Sequence, residues 1–157
     1  MKNVVDMADR KVGKNGDTLV TYALGSCLAL MIYDPVEKVG GLLHAMLPQY
    51  SINPEKAQRN PNMFVDTGVP LLFKEVYALG GKKHRMAVKA AGCAAPLQKD
   101  EMFKIGDRNI MILKKLLLKN NVPLNAMDVG GSISRTVYFD LTTGRVIIGS
   151  KGKRWEL

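Results

Sequence analysis

Aromatic side chains are scarce in this chain: one tryptophan, five tyrosines and four phenylalanines make up 6% of its 157 residues. Modules that stack nucleic-acid bases on aromatic rings need more. No RNP, KH or zinc-finger pattern interleaves with the basic clusters Lys82-Lys83-His84-Arg85 and Lys151-Gly152-Lys153-Arg154, so nucleic acid is not the expected partner. Cysteine is scarcer still. Cys27 and Cys93 are too few for a disulfide framework and form no metal-type cluster, which leaves both as thiols and excludes a zinc site. No window approaches the ~20 apolar residues of a membrane span, and the first six residues carry charges and no apolar h-region. A cytoplasmic protein without an integral membrane segment is expected. No Ser/Pro-rich linker, internal repeat or low-complexity stretch divides the chain, so residues 1–157 are expected to form one domain. Gly40-Gly41 and Gly130-Gly131 lack the lysine and helix of a phosphate loop, and with no metal or flavin motif no cofactor is expected.

What the chain has is the composition of a globular protein, 46% hydrophobic and 24% charged. Its 23 Lys and Arg against 14 Asp and Glu give a formal charge of +9, which favours acidic partners, although the two basic clusters read most simply as a solvated face and a mobile tail. Apolar runs at 18–23, 28–33 and 39–47 read as strands, with turn chemistry at Asp34-Pro35-Val36-Glu37-Lys38 joining the last two as a hairpin. Residues 49–62 read as a polar loop. Helical spacing at 67–79, with Thr67 as cap and Pro70 in the first turn, ends at Gly80-Gly81; a second helix runs from a cap at Asp107 to Asn120. Strands are expected at 85–91, 122–129, 136–140 and 145–149, the first broken by Gly92-Cys93-Ala94-Ala95-Pro96. Hairpins outnumber crossovers. The expected class is α+β, a layered sandwich of mixed or antiparallel sheets flanked by helices rather than a doubly wound parallel sheet.

The chemistry is carried by Leu24-Gly25-Ser26-Cys27 and Gly40-Gly41-Leu42-Leu43-His44. A free cysteine alone is usually a small hydrophobe, and a lone histidine in an apolar strand is usually a satisfied core residue. The hairpin changes that reading by bringing the two together. Partner numbers summing to 71–72 would set Cys27 opposite His44 or Ala45, at a Cα separation of roughly 4.5–5.5 Å. A one-residue slip would reverse the face. Gly25 and Ser26 leave backbone N–H groups uncovered beside the sulfur, so Ser26 and Gly25 are the expected oxyanion and substrate-binding positions. Thr21 precedes this turn and lies close to the hairpin. A thiolate at Cys27, its pKa depressed by imidazolium at His44, would be a strong nucleophile.

With these residues in hand, the chain resembles the CheD family of chemoreceptor glutamine deamidases of bacterial and archaeal chemotaxis. The likeness spans almost the whole chain: Leu24-Gly25-Ser26-Cys27, the stretch from Gly41 through His44 to Pro48, Ile105-Gly106-Asp107-Arg108-Asn109, Asp128-Val129-Gly130-Gly131 and Arg135. Cys93 and Ser134 depart from it, each standing where the family commonly has glycine. The resemblance implies a fold similar to the cytotoxic necrotizing factor-type cysteine hydrolases and a catalytic triad of Cys27, His44 and Thr21. It also implies hydrolysis of receptor glutamines to glutamate and two protein partners: methyl-accepting chemotaxis receptors as substrate, and the CheY-phosphate phosphatase CheC. The same machinery should also hydrolyse a glutamyl methyl ester, the easier acyl donor, so a methylesterase side activity is expected. The alternative is a non-catalytic adaptor acting only through CheC.

Overall fold

The apolar run that begins at Leu28 has no polar alternation because both of its faces are covered. In the computed structural model, which describes residues 1–95 and 104–157, β4 (Leu28–Asp34) and β5 (Val39–Ala45) are buried at every position. They sit at the heart of a five-stranded sheet, ordered β2 (Asp9–Lys14), β5, β4, β6 (Ala87–Gly92), β7 (Ala126–Val129). A second five-stranded sheet is ordered β1 (Lys2–Val4), β3 (Thr18–Leu24), β8 (Arg135–Asp140), β9 (Val146–Ser150), β10 (Lys153–Glu156). Each sheet is mixed: β1 with β3 and β6 with β7 are parallel pairs, and the remaining pairs are antiparallel.

Two apolar cores follow from the alternation along β4. Leu28, Leu30 and Ile32 face the helices α2 (Val65–Ala78) and α3 (Ile105–Lys119), packing with Val69, Leu72, Val76, Leu113 and Leu117. Ala29, Met31 and Tyr33 face the other sheet, packing with Leu19, Val137, Phe139 and Ile148. The layers are therefore helices, central sheet and outer sheet, an α+β fold.

Several elements differ from the sequence expectation. The β4–β5 partner numbers sum to 73, from Leu28 with Ala45 to Asp34 with Val39, because the turn holds four residues with Lys38 at φ 54°. Residues 49–62 are not an open loop: the Asn53 side chain caps a short helix, α1 (Pro54–Arg59), by accepting from Lys56 N–H, and Asn60 caps the 3₁₀ turn Pro61–Met63. Helix α2 starts earlier than Thr67, whose hydroxyl instead donates to the Pro61 carbonyl, and Pro70 falls inside the helix. Helix α3 likewise begins two residues before Asp107. The break after β6 is present at Gly92, with Pro96 outside the described residues. The basic stretch at 151–154 is no tail. Lys151 and Gly152, at φ 50° and 77°, turn a hairpin that adds β10 to the outer sheet. Nor is Arg85 a solvated charge; it pairs with the fully buried Asp34.

Candidate active site

β3 carries a register shift between Thr21, opposite Val137, and Leu24, opposite Arg135; Ala23 sits there at φ 54°, in the left-handed region. Such a bulge redirects the strand end. Beyond Leu24 the chain leaves the outer sheet and enters the central sheet at Leu28, so Gly25-Ser26-Cys27 is the connection between the two layers. All three of its carbonyls are held. Gly25 C=O accepts from Ala94 N–H at 2.9 Å, Ser26 C=O from Asn109 Nδ2 at 3.0 Å and Cys27 C=O from Cys93 N–H at 2.8 Å. Among the described residues, no backbone hydrogen bond outside the strands and helices uses the N–H of Gly25, Ser26 or Cys27. A trans peptide points its C=O and N–H in opposite directions, so anchoring the Gly25 and Ser26 carbonyls fixes where the Ser26 and Cys27 N–H groups point.

Two glycines permit this anchoring. Gly92 has φ +97°, and a Cβ there would overlap the Cys27 carbonyl oxygen. Gly106 lets the first turn of α3 lie against the Cys93 and Ala94 carbonyls, where any side chain would overlap them.

Thr21 comes from the outer sheet and His44 from the central one, and the two meet between the layers. Thr21 Oγ1 lies 2.7 Å from His44 Nδ1 and 2.7 Å from the Val5 carbonyl oxygen. The hydroxyl has one proton, and Val5 C=O can only accept; Thr21 therefore donates to Val5, and His44 Nδ1–H donates to Thr21. That order places the free lone pair on Nε2, which is buried and without a hydrogen-bond partner among the described residues. Burial holds the His44 pKa below the ordinary imidazole value, against the opposing pull of the Asp6 and Asp9 carboxylates. The ring is a neutral base.

Cys27 lies just before β4, outside the ladder, since the register sets Ala29 opposite His44 and Leu28 opposite Ala45. Cys27 and Ala29 both pack toward the inter-sheet core, and Leu42, two positions before His44, lies in that same core. The cysteine and histidine thus occupy one face of the central sheet as diagonal neighbours, whereas the sequence expectation set Cys27 opposite His44 or Ala45. Burial raises the Cys27 pKa above the ordinary thiol value. Both directions favour the neutral forms over the thiolate–imidazolium pair expected from the sequence. Cys93 is buried and pushed up to about 12, first by burial, and is held at φ 53°.

Three contributors escaped the sequence reading. The Val5 carbonyl that orders the Thr21 proton follows β1, and Asp9 stands opposite His44 on β2. Residues 2–14 hold few apolar positions and no clear period, so their strands carried little signal. Asn109, fully buried on α3, donates to both Ser26 C=O and Met46 C=O. Among the described residues no group of three or more His, Cys, Asp or Glu side chains is placed to hold a metal ion, and no helix is long and apolar enough to cross a membrane.

Comparison with known proteins adds the family. The family described as CheD chemotactic sensory transduction matches residues 46–150. A probable chemoreceptor glutamine deamidase CheD 1 of Syntrophus aciditrophicus is 51% identical over 150 residues, covering 95% of this chain and 94% of that protein. Probable chemoreceptor glutamine deamidases CheD of Solibacter usitatus and Pyrococcus horikoshii are 43% and 44% identical, covering 98% and 93% of this chain and 92% and 91% of their own lengths. Matched over most of its length by the family and nearly end to end by these relatives, the chain belongs to the CheD chemotactic sensory transduction family.

Proposed function

We propose that this protein hydrolyses the side-chain amide of glutamines on chemotaxis receptors, using Cys27 as nucleophile, His44 as acid and base, and Thr21 as the group that orders the imidazole. The observation that carries the reading is the Val5–Thr21–His44 chain, which leaves an unprotonated Nε2, unpartnered among the described residues, buried on the face that Cys27 shares. The names of the relatives supply the substrate class.

In the first step the Cys27 Sγ–H proton passes to His44 Nε2 as Sγ attacks the glutamine amide carbon. Because both groups start neutral, charge develops only along this step; Asp6 and Asp9, which favour the charged imidazole, stabilise it at a distance. The oxyanion would be met by the N–H groups of Cys27 and Ser26, each worth roughly 3 kcal/mol when well aimed. His44 then returns its proton to the departing nitrogen, releasing ammonia and leaving a glutamyl thioester on Cys27. Nε2 next takes a proton from water, which attacks the thioester; glutamate leaves and Cys27 regains its proton. A neutral threonine stabilises imidazolium less than a carboxylate would, so turnover is slow. The same steps apply to a glutamyl methyl ester, an easier acyl donor. CheC is a second proposed partner, engaging the protein in competition with receptors.

The test is mass spectrometry of a receptor cytoplasmic fragment incubated with the parent protein or its Cys27→Ala variant. Glutamine converted to glutamate by the parent alone supports the reading. Conversion by neither, across several receptor fragments, removes it and leaves the adaptor that acts only through CheC.

A further inference from the structure

Asn109 is fully buried, yet its amide does nothing for the helix that carries it. Nδ2 donates to Ser26 C=O at 3.0 Å and to Met46 C=O at 3.1 Å. Those carbonyls belong to segments that the sheet leaves unjoined. The β4–β5 ladder stops at Leu28 with Ala45, and the next rung would pair Cys27 with Met46. Instead Cys27 C=O accepts from Cys93, and Met46 N–H donates to Met63 C=O at 2.8 Å. A single side-chain amide thus replaces the missing rung, bridging the residue before Cys27 to the residue two beyond His44.

The direction of this bridge has a chemical consequence. Ser26 C=O and Cys27 N–H belong to one peptide unit and point in opposite directions. Asn109 sits in the helix layer, so drawing Ser26 C=O toward it turns Cys27 N–H away from the helices, toward the inter-sheet side where Cys27 packs. The bridge also carries a cost: Asn109 Oδ1 is buried with no partner among the described residues. A buried acceptor left unpaired is unfavourable, so the position is not optimised for stability alone.

We propose that Asn109 is a positioning residue for deamidation, setting the separation of Cys27 from His44 and aiming the Cys27 N–H at the developing oxyanion. This rests on the catalytic reading above. It predicts that Asn109→Ala lowers kcat on a receptor fragment at least tenfold with KM within twofold, while Asn109→Ser, keeping one donor, falls between parent and Ala. A second readout needs no receptor. Alkylation of Cys27 by iodoacetamide, located by peptide mapping, is followed against pH in the parent, His44→Ala and Asn109→Ala proteins. The Asn109→Ala profile should move from that of the parent toward that of His44→Ala. Should Asn109→Ala not fold, Asn109→Ser decides by the same two readouts. Folded variants that keep kcat within twofold, or an alkylation profile superimposable on the parent's, overturn the proposal. If the parent deamidates no receptor fragment, the catalytic reading fails, and the alkylation profiles still decide whether Asn109 sets the cysteine–histidine geometry.

Discussion

The Thr21 hydroxyl lies 2.7 Å from His44 Nδ1 and donates its only hydrogen bond to the Val5 carbonyl, so a residue of one sheet fixes the tautomer of a histidine in the other. Thr21→Val preserves the shape and removes the acceptor. Nδ1–H and the Val5 carbonyl then lose their buried partner, and the ring is free to take the wrong tautomer. We expect kcat for glutamine deamidation to fall about 100-fold, equivalent to ~2.7 kcal/mol of barrier, with Thr21→Ser staying within about fivefold of the parent. Steady-state kinetics on a receptor fragment measures this. Equal losses in the two variants would mean that the hydroxyl is not what matters.

The neutral resting pair has a pH signature. The reactive form holds a protonated Cys27 and an unprotonated His44, and burial lowers the histidine pKa from 6.5 and raises the cysteine pKa from 9.0. On the acid side kcat/KM should fall only below pH 6.5, as His44 gains a proton. On the alkaline side it should fall only above pH 9.0, as the thiol is lost. Iodoacetamide should likewise alkylate Cys27 slowly at pH 6 and increasingly through the alkaline range. Rapid, pH-independent alkylation between pH 5 and 8 would instead show a preformed thiolate.

Gly92 braces the backbone at Cys27. Its φ of +97° and the close approach of the Cys27 carbonyl leave no room for a Cβ. Gly92→Ala must shift one strand end against the other, at a cost of ~1–3 kcal/mol in stability. Activity should fall more steeply than stability, by at least tenfold in kcat for protein that is still folded at the assay temperature. Urea denaturation and kinetics on one preparation separate the two effects.

At the far end of the central hairpin, Asp34 anchors the turn rather than the site. Burial alone would raise its pKa, but the Arg85 guanidinium and the N–H groups of Lys82, Val36 and Glu37 hold it well below the usual carboxylate range. A folded-state pKa below the unfolded value of 3.8 gives stability that is present in full above that pH and lost as pH falls through it toward the folded value. Asp34→Ala should cost about 3 kcal/mol at neutral pH, the lower end for a buried pair because Arg85 is 24% exposed and returns to water. The deficit relative to the parent should shrink in acid. Urea midpoints at pH 7 and pH 3 test both parts.

The hairpin that brings Cys27 and His44 onto one face was legible because β4 and β5 are apolar apart from Asp34 and His44, the mark of strands covered on both sides. Its register was harder to read. Whether Lys38 closes the turn in the left-handed region is a tertiary matter, and it moved the ladder by one to two positions. Strands β1 and β2 were missed because Asp9-Arg10-Lys11-Val12-Gly13-Lys14 has a single large apolar residue and lies at a sheet edge. With them went the Val5 carbonyl and the Asp9 charge. The basic stretch ending at Arg154 looked like a tail for the opposite reason: its turn residues were read as solvated charge, although Lys151-Gly152 is a good two-residue hairpin turn. The pKa directions were also beyond reach, since burial of both groups, not their mutual charge, decides them.

Cys27 as nucleophile requires that the glutamyl group pass through its sulfur. A receptor fragment is mixed with excess protein, the reaction is quenched in acid within a turnover, and the Cys27 peptide is mapped by mass spectrometry. A thioester route gives a transient adduct on Cys27 equal to the substrate peptide less ammonia, labile to hydroxylamine and absent in Cys27→Ala. Deamidated product that accumulates with no adduct at any time, and at an undiminished rate in Cys27→Ala, would contradict it.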